Sequence, residues 1–413
     1  MADDLRVQYE SYPYPPRDPA EEATRLVAGS PSHILEIEHY IFAGRRPANR
    51  PFRALVAGGG TGDATVMLAQ QHADAGVEAE IVHLDISEAS TAVARARVEA
   101  RGLSGVRFLH GPIEALPELG TGAFDYIDCC GVLHHLADPA AGLAALKNSL
   151  APGGGMGIMV YAPFGRTGVY HAQAMLRMIA GDVPDPERID VARHLLADLP
   201  ATNWLRRNSH VGDHIDQGDA GIYDLLLHRR DRAYSVPELA DLLRRGGMRP
   251  VDFTDPARYD PAVYLSDPAL VERVRALDWL QRCAFAELLA GNMKTHILYA
   301  VRADNEADTL ARPDTLDAVP VLRDADGPAL AAQFRPGMAL TVPADGLKLS
   351  LPLPPLAGPM LARIDGNRSL AKIRAGLVAD GRPGLDRDAF MSEFGRLYGV
   401  FYGVSSMFIR NPG

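Results

Sequence analysis

Cysteine is scarce: Cys129, Cys130 and Cys283 are the only three among 413 residues. Two of them are neighbours, which rarely pair with each other, and none stands at metal-ligand spacing from a histidine or another cysteine. A disulfide framework is thereby excluded, no metal is expected, and a reduced, cytoplasmic compartment is the expectation. Long hydrophobic runs are missing too. No stretch approaches the roughly 18 consecutive apolar residues that a membrane-crossing helix needs. The opening MADDLRVQYESYPYPPRD lacks a basic segment followed by an apolar one, so neither a secretory signal nor a membrane partner is expected. Excess positive charge is also absent. The chain carries 42 Lys and Arg against 52 Asp and Glu, a net charge of −10, which argues against general nucleic-acid binding. There is no internal repeat and no low-complexity tract. What is present, 47% hydrophobic and 23% charged residues, is ordinary for a globular protein of two to three domains of about 150 residues each.

Residues 1–50 read as an N-terminal arm. YESYPYPPRDP is rich in proline and tyrosine and is expected to be extended rather than helical. A helix is expected from about Pro31 to Phe42. Residues 51–304 read as one unit. Over 52–160 short apolar strands alternate with helices of 10–15 residues, the pattern of βαβ units and a doubly wound, mostly parallel sheet. The expected strands are FRALVAG, EIVHLD, VRFLHG, FDYIDCCGVL and GMGIMVYAP. A helical insertion is expected over about 161–235, followed by a helix capped by Ser235 and Glu238 and ended by Gly246–Gly247. RPVDFTD and the 290–304 segment supply the last strands. Residues 305–345 read as a linker. Residues 346–413 read as a small helical unit, with a turn at Asp365–Gly366 and a helix starting at Ser369.

The sharpest motif is LVAGGGTGDAT, where the first strand meets the first helix. Gly58, Gly60 and Gly62 let the backbone turn tightly and let a ligand lie against it, and the following helix N-terminus offers unpaired N–H groups. A phosphate loop would require a Lys that is not there. The dinucleotide fingerprint would require glycine at Asp63 or Thr65, which speaks against a nicotinamide oxidoreductase. A tight turn without a ligand remains the bland alternative. Asp85 ends the second strand 23 residues after Gly62, the place from which an acidic side chain accepts bonds from ribose hydroxyls in doubly wound folds. An Asp there is also a routine helix cap.

Taken together, ALVAGGGTG, HLD, HGPIEALP, FDYIDCCGVLHHLADP and LAPGGGMGIMV resemble, in order and spacing over about 110 residues, the class I S-adenosylmethionine-dependent methyltransferases. The resemblance implies a seven-stranded sheet of methyltransferase type, S-adenosyl-L-methionine as cofactor and S-adenosyl-L-homocysteine as product. It places Gly58, Gly60, Thr61 and Gly62 beside the methionine part and the ribose. Asp85 would hold the ribose hydroxyls, with Ile86 beside the adenine. Ile113 and Glu114 would contact adenine. Cys129, Cys130 and Gly131 would line the pocket at the end of strand four. Two positions depart from the family pattern: Val56 stands where an acid is usual, and Pro112 where Asp is frequent.

Methyl transfer from a sulfonium is an in-line displacement, so the chief task is to align nucleophile, methyl and sulfur. A base is required only if the acceptor arrives protonated. His134 and His135, just after strand four, are the base candidates, with pocket shaping as the alternative role. Tyr9, Tyr14 and Arg17 form a candidate lid, the rings facing a sulfonium and Arg17 the methionine carboxylate; a docking arm is the alternative. Tyr161, His171, Trp204, His210, His214, Tyr223 and His228 are candidate acceptor contacts. The spacing of His210 and His214 permits a metal site, but Gly212 and Asp213 argue for a loop. The C-terminal unit weakly resembles a winged-helix peptide-binding module through LARIDGNRSLAKI alone; a dimerisation or scaffolding unit, and so a homodimer, is the other reading. The expected acceptor is a nitrogen or oxygen atom of a protein, peptide or small molecule. A nucleoside-binding protein that keeps the fold without catalysis is the rival.

Overall fold

The computed structural model describes residues 2–45, 50–181, 183–381 and 384–411. Parts of the expected arm (Met1 and 46–49) and of the C-terminal unit thus lie outside the described residues. The centre is a seven-stranded sheet built from β1 (Phe52–Ala57), β2 (Ala79–Asp85), β3 (Val106–His110), β4 (Phe124–Cys130), β5 (Leu150–Tyr161), β6 (Met248–Phe253) and β7 (Thr295–Arg302). The order is β3-β2-β1-β4-β5-β7-β6. β7 runs antiparallel to β5 and β6, and the other adjacent pairs are parallel. This is the doubly wound methyltransferase-type sheet that the alternating pattern predicts. The strand order reverses between β1 and β4, so the ligand crevice of such a sheet opens at their carboxyl ends.

Burial explains why β1 reads as a continuous apolar run. Phe52, Ala54 and Val56 pack on one face with Ile37, Tyr40 and Ile41. Leu55 and Ala57 face the opposite core with Val82, Ile127 and Ile158. A strand covered on both sides cannot alternate with polar residues. The helices in this part are α1 (Ala2–Ser11), α2 (Ile34–Ile41), α3 (Asp63–Asp74), α4 (Glu88–Ala100), α5 (Pro139–Asn148), α6 (Val169–Ala180) and α7 (Asp185–Asp198). Asp138 caps α5 through the Ala140 and Ala141 N–H groups. In the helix at Val236–Arg245, Glu238 accepts from the Ser235 N–H and hydroxyl, the expected capping arrangement.

Three expectations are corrected. The start of the arm is helical: α1 includes Tyr9 and ends before Pro13, because ADDLRVQYES has no proline to prevent it. The fifth strand begins earlier than the expected GMGIMVYAP: β5 starts at Leu150, which pairs with Phe124, and α5 ends before it at Asn148. Residues 305–345 are not a bare linker. They carry β8 (Val319–Leu322), which pairs with β11 (Met407–Arg410), and β9 (Ala339–Ala344), which forms a hairpin with β10 (Leu347–Pro352). Ala311 and Ala318 join Leu370, Phe390, Phe394 and Phe401 in a separate core, so the chain before position 346 already belongs to the last packed unit.

That last unit is tied to the sheet by buried polar groups. The Arg323 guanidinium reaches the wholly buried Glu36 carboxylate on α2. Glu36 also accepts from the Tyr299 hydroxyl at 2.6 Å. Leaving a buried carboxylate without its cation is costly, so Arg323→Leu is expected to lower stability by about 2–4 kcal/mol, read as a fall in the urea midpoint. A loss below about 0.5 kcal/mol, typical of surface changes, would show that the Arg323 contact does not hold the two parts together.

Candidate functional site

The glycine loop leaves β1 with Gly58 at φ +70°, Gly60 at +52° and Gly62 at +97°. All three values favour glycine. Space is restricted as well: a Cβ on Gly62 would lie 2.7 Å from the Ala94 Cβ, and one on Gly58 2.5 Å from a Val132 methyl. Gly62→Ala combines strain with a clash and is expected to cost about 1–3 kcal/mol, seen as a drop in melting temperature together with weaker cofactor binding. An unchanged melting temperature would count against this geometry.

Asp85, at the end of β2, is buried and sits against the loop. One carboxylate oxygen accepts from the Gly60 N–H at 2.7 Å, the other from the Ser87 N–H at 2.8 Å. Burial raises its pKa, against the lowering effect of these backbone bonds. Each oxygen keeps a further lone pair, so the side chain can still accept bonds from a vicinal diol. Next to it, Ile86 is half-buried, Ile113 is buried and Glu114 is exposed. The glycine cradle, the carboxylate at its rim and an apolar side fit the ribose and adenine of an adenosyl cofactor.

The arm lies over this cradle. The Thr61 hydroxyl donates to the Pro15 carbonyl at 2.7 Å, and the Ser87 hydroxyl to the Tyr9 carbonyl at 3.1 Å. Glu10 accepts from the first N–H groups of α4, Glu88 and Ala89, at 2.7 and 3.0 Å. Arg17, expected to await a carboxylate of the cofactor, instead forms a two-pronged pair with Asp63 at 2.8 and 2.6 Å. Arg97, almost fully buried, joins Asp63, the Thr61 carbonyl and Glu22 at 2.6–2.8 Å.

At the end of β4, the Cys129 side chain is packed in the core and does not line the crevice, because neighbouring residues of a strand point to opposite faces. Cys130 and Gly131 are half-exposed there. Asp128 stands directly across from Val56 in the β1–β4 register. It accepts from the Ser32 hydroxyl and, at 3.4 Å, from the Cys130 N–H, and burial raises its pKa to about 7. A buried carboxylate is therefore present beside the position where the sequence pattern lacks one, on the neighbouring strand.

Beyond β4 and β5 lies a largely buried cluster of titratable and aromatic side chains. His134 and His135 are both buried, and burial holds both imidazoles neutral, His135 with a pKa of about 4. Both rings lie against Tyr161. His135 Nδ1–H donates to the Arg230 carbonyl at 2.7 Å, which leaves Nε2 as the lone-pair nitrogen. The His228 ring stacks on His135 with centroids 3.8 Å apart. Its Nδ1 accepts the Arg230 N–H at 3.0 Å, so Nε2 carries the proton and faces the Tyr9 hydroxyl at 3.2 Å. Tyr9 in turn donates to Asp224 at 3.5 Å, and Tyr161 donates to Asp224 at 3.3 Å. Arg166 lies over the Tyr161 ring and pairs with Asp231 at 3.2 Å. His135, Asp224 and His228 offer ligand atoms mutually within 4.8 Å, but the protonated Nε2 of His228 faces the Tyr9 hydroxyl, so they are not a ready metal site.

Of the sequence candidates, Tyr9, His134, His135, Tyr161 and His228 are thus brought together, with Tyr14 near Asp224. His171 is exposed on α6 and has no part in this cluster. His214 lies on a short turn of helix, while the His210 carbonyl takes a bond from Lys294. Sequence reasoning missed Asp224, Arg166 and Asp231. One signal for Asp224 was available: it is a lone carboxylate inside the apolar run IYDLLL.

A model of a methyltransferase domain matches residues 55–156. An uncharacterized protein of Synechococcus sp. is 34% identical over 291 residues, 68% of this chain and 67% of that protein. The demethylmenaquinone methyltransferase of Thermus thermophilus is 37% identical over 113 residues, 27% of this chain and 49% of that enzyme. Among solved structures, PKMT2 from Rickettsia typhi superimposes with a TM-score of 0.62 at 14% identity, covering 91% of this chain and 74% of that one, and it has also been solved with AdoHcy. The glycine cradle, Asp85 and the seven-stranded order agree with these matches: the chain belongs to the class I S-adenosylmethionine-dependent methyltransferases, and its cofactor is S-adenosyl-L-methionine.

Proposed function

We propose that the methyl group goes to a nitrogen or oxygen atom of a protein or peptide. The observation that carries this choice is a groove of about 300 Å³ on the outer side of the 164–168 loop, lined by Phe164, Trp204, Arg207, His210 and Asn292 among others. The loop's own Arg166 reaches inward to Tyr161 and Asp231. The β9–β10 hairpin borders the same region, since Asn292 donates to the Ala344 and Asp345 carbonyls at 2.7 and 3.0 Å. An extended chain can rest in an open groove of this kind and send one side chain inward. In this reading the 346–413 unit helps to hold the acceptor, and a small-molecule acceptor is the second reading.

Gly58, Gly60, Thr61 and Gly62 cradle the methionine part and ribose, Asp85 takes the ribose hydroxyls, and Ile86, Ile113 and Glu114 flank the adenine. Cys130 and Gly131 border the donor methyl. The cofactor supplies the electrophilic methyl. The arm, with Tyr9 and Tyr14, closes over the cradle and keeps water out. Asp128 stands in for the acid that Val56 lacks.

The test is incubation of the purified protein with S-adenosylmethionine carrying a labelled methyl group and a dialysed cell lysate, then with the small-molecule filtrate of that lysate. Label in the protein fraction supports the first reading; label confined to the filtrate selects the second. In this reading His134 and His135 shape the site rather than act as base, since burial disfavours their protonated forms. His135→Ala is therefore expected to leave S-adenosylhomocysteine affinity within about twofold and to lower turnover less than the 100-fold that marks loss of a base. A fall beyond that would restore His135 to the role of base.

A further inference from the structure

Asp224 belongs to no part of the cofactor cradle, yet it is buried beside Tyr161 at the end of β5. It lies in the π-helical turn Tyr223–Leu227, whose five residues are all buried. Such wide turns recur at functional sites, and here the turn sets one carboxylate among leucines. A buried carboxylate is ordinarily paired with a cation. Asp224 has no ion pair among the described residues, because Arg166 is turned to Asp231. Its hydrogen bonds, from Tyr9 at 3.5 Å and Tyr161 at 3.3 Å, are long. The carboxylate therefore retains acceptor capacity and lies in one cluster with Tyr9, Tyr161, His135 and His228.

We propose that Asp224 is the base of the methyl transfer, taking the proton of the acceptor's N–H or O–H. The inference rests on the reading that the acceptor atom is nitrogen or oxygen. As the acceptor lone pair bonds to the methyl carbon, the carbon–sulfur bond breaks and its electron pair stays on sulfur. The acceptor proton moves to the Asp224 carboxylate. A neutral acceptor, a carboxylate and a sulfonium thus become a neutral methylated product, a carboxylic acid and a thioether. The chain of bonds from His228 Nε2–H to Tyr9 and from Tyr9 to Asp224 orients the carboxylate. Since Tyr9 comes from the arm, this orientation is complete only when the arm is closed.

The charged and titratable groups around Asp224 agree with that task. Burial is the largest influence and raises its pKa to about 7; Arg166 and the Tyr161 hydroxyl lower it, and Asp231 and Asp213 raise it further. Tyr9 and Tyr14 on the arm, with His135 and His228, complete the surroundings. A base with a pKa near the working pH gives the best compromise between proton affinity and availability.

The experiment compares the full-length wild type with Asp224→Asn and Asp224→Glu. S-Adenosylhomocysteine affinity by calorimetry is expected to be unchanged within about threefold, which shows an intact fold and cradle. Labelled-methyl transfer to the dialysed lysate is expected to fall about 100-fold or more in Asp224→Asn, the usual worth of a general base, with partial recovery in Asp224→Glu. The wild-type rate should rise with pH through about 7 and then level, and the asparagine variant should lose that limb. A third measurement requires no acceptor. Infrared difference spectra of the S-adenosylhomocysteine complex, wild type minus Asp224→Asn, should show a protonated carboxyl band that disappears on raising the pH across about 7. Wild-type turnover and pH profile in Asp224→Asn, or an Asp224 already ionised at about pH 5, would overturn the proposal. If the wild type binds S-adenosylhomocysteine but labels nothing, the acceptor reading fails, while the infrared titration still judges Asp224.

Discussion

Replacing Asp85 by alanine is expected to weaken S-adenosylmethionine and S-adenosylhomocysteine binding by about 1.5–3 kcal/mol, roughly 10- to 150-fold, the worth of hydrogen bonds to a charged group. The size follows from two losses. The ribose hydroxyls lose a carboxylate acceptor, and the N–H groups of Gly60 and Ser87 lose theirs. The second loss loosens the loop that shapes the cradle, so Asp85→Asn, which keeps an oxygen, is expected to lie between wild type and alanine. The comparison of the two cofactor forms matters because they share the ribose but not the sulfonium charge. Equal weakening of both, measured by calorimetry, ties the effect to the ribose. Affinity within twofold of wild type for the alanine variant would remove Asp85 from the cofactor site.

The residues that were legible in the sequence are those whose roles are local. Gly58, Gly60 and Gly62 follow a strand and precede a helix within a dozen positions, and Asp85 ends the next strand, so spacing alone places them together. The parallel strands could be read because each is a short, largely apolar run flanked by a turn. The cluster around Asp224 was legible only in part. Tyr9, His135 and Tyr161 come from three separate segments and Asp224 with His228 from a fourth, and no periodicity links the four. Asp128 escaped notice for a similar reason: its relation to Val56 exists only across the β1–β4 pairing. The arm was misread because Pro13, Pro15 and Pro16 dominate its composition, whereas the helix before them is held by tertiary contacts such as Glu10 on the start of α4. Residues 305–345 looked like a linker since β8 and β9 are short and pair with partners far along the chain or across a tight hairpin.

Arg97→Leu is expected to lower stability by about 2–4 kcal/mol and to release the arm as well. The guanidinium binds Glu22 on the arm, Asp63 at the start of α3 and the Thr61 carbonyl in the cofactor loop. It is 1% exposed, and Glu22 is 5% exposed, so water cannot replace what is removed. Breaking a buried pair by deleting one partner typically costs about 3–5 kcal/mol. The smaller figure applies here because each carboxylate keeps another arginine, Arg101 for Glu22 and Arg17 for Asp63. Leucine retains part of the buried volume, which separates the charge effect from a cavity effect. The same change should weaken S-adenosylhomocysteine binding, since a loosened arm no longer fixes Thr61 through Pro15. Arg97→Lys keeps a cation at this junction but lacks the fork that also reaches the Thr61 carbonyl, and it is expected to regain much of the lost stability without regaining the affinity. Urea unfolding and calorimetry on the two variants read these outcomes separately. Recovery of both together in Arg97→Lys would mean that a cation suffices without the fork, and full affinity in Arg97→Leu would mean that the arm closes without either.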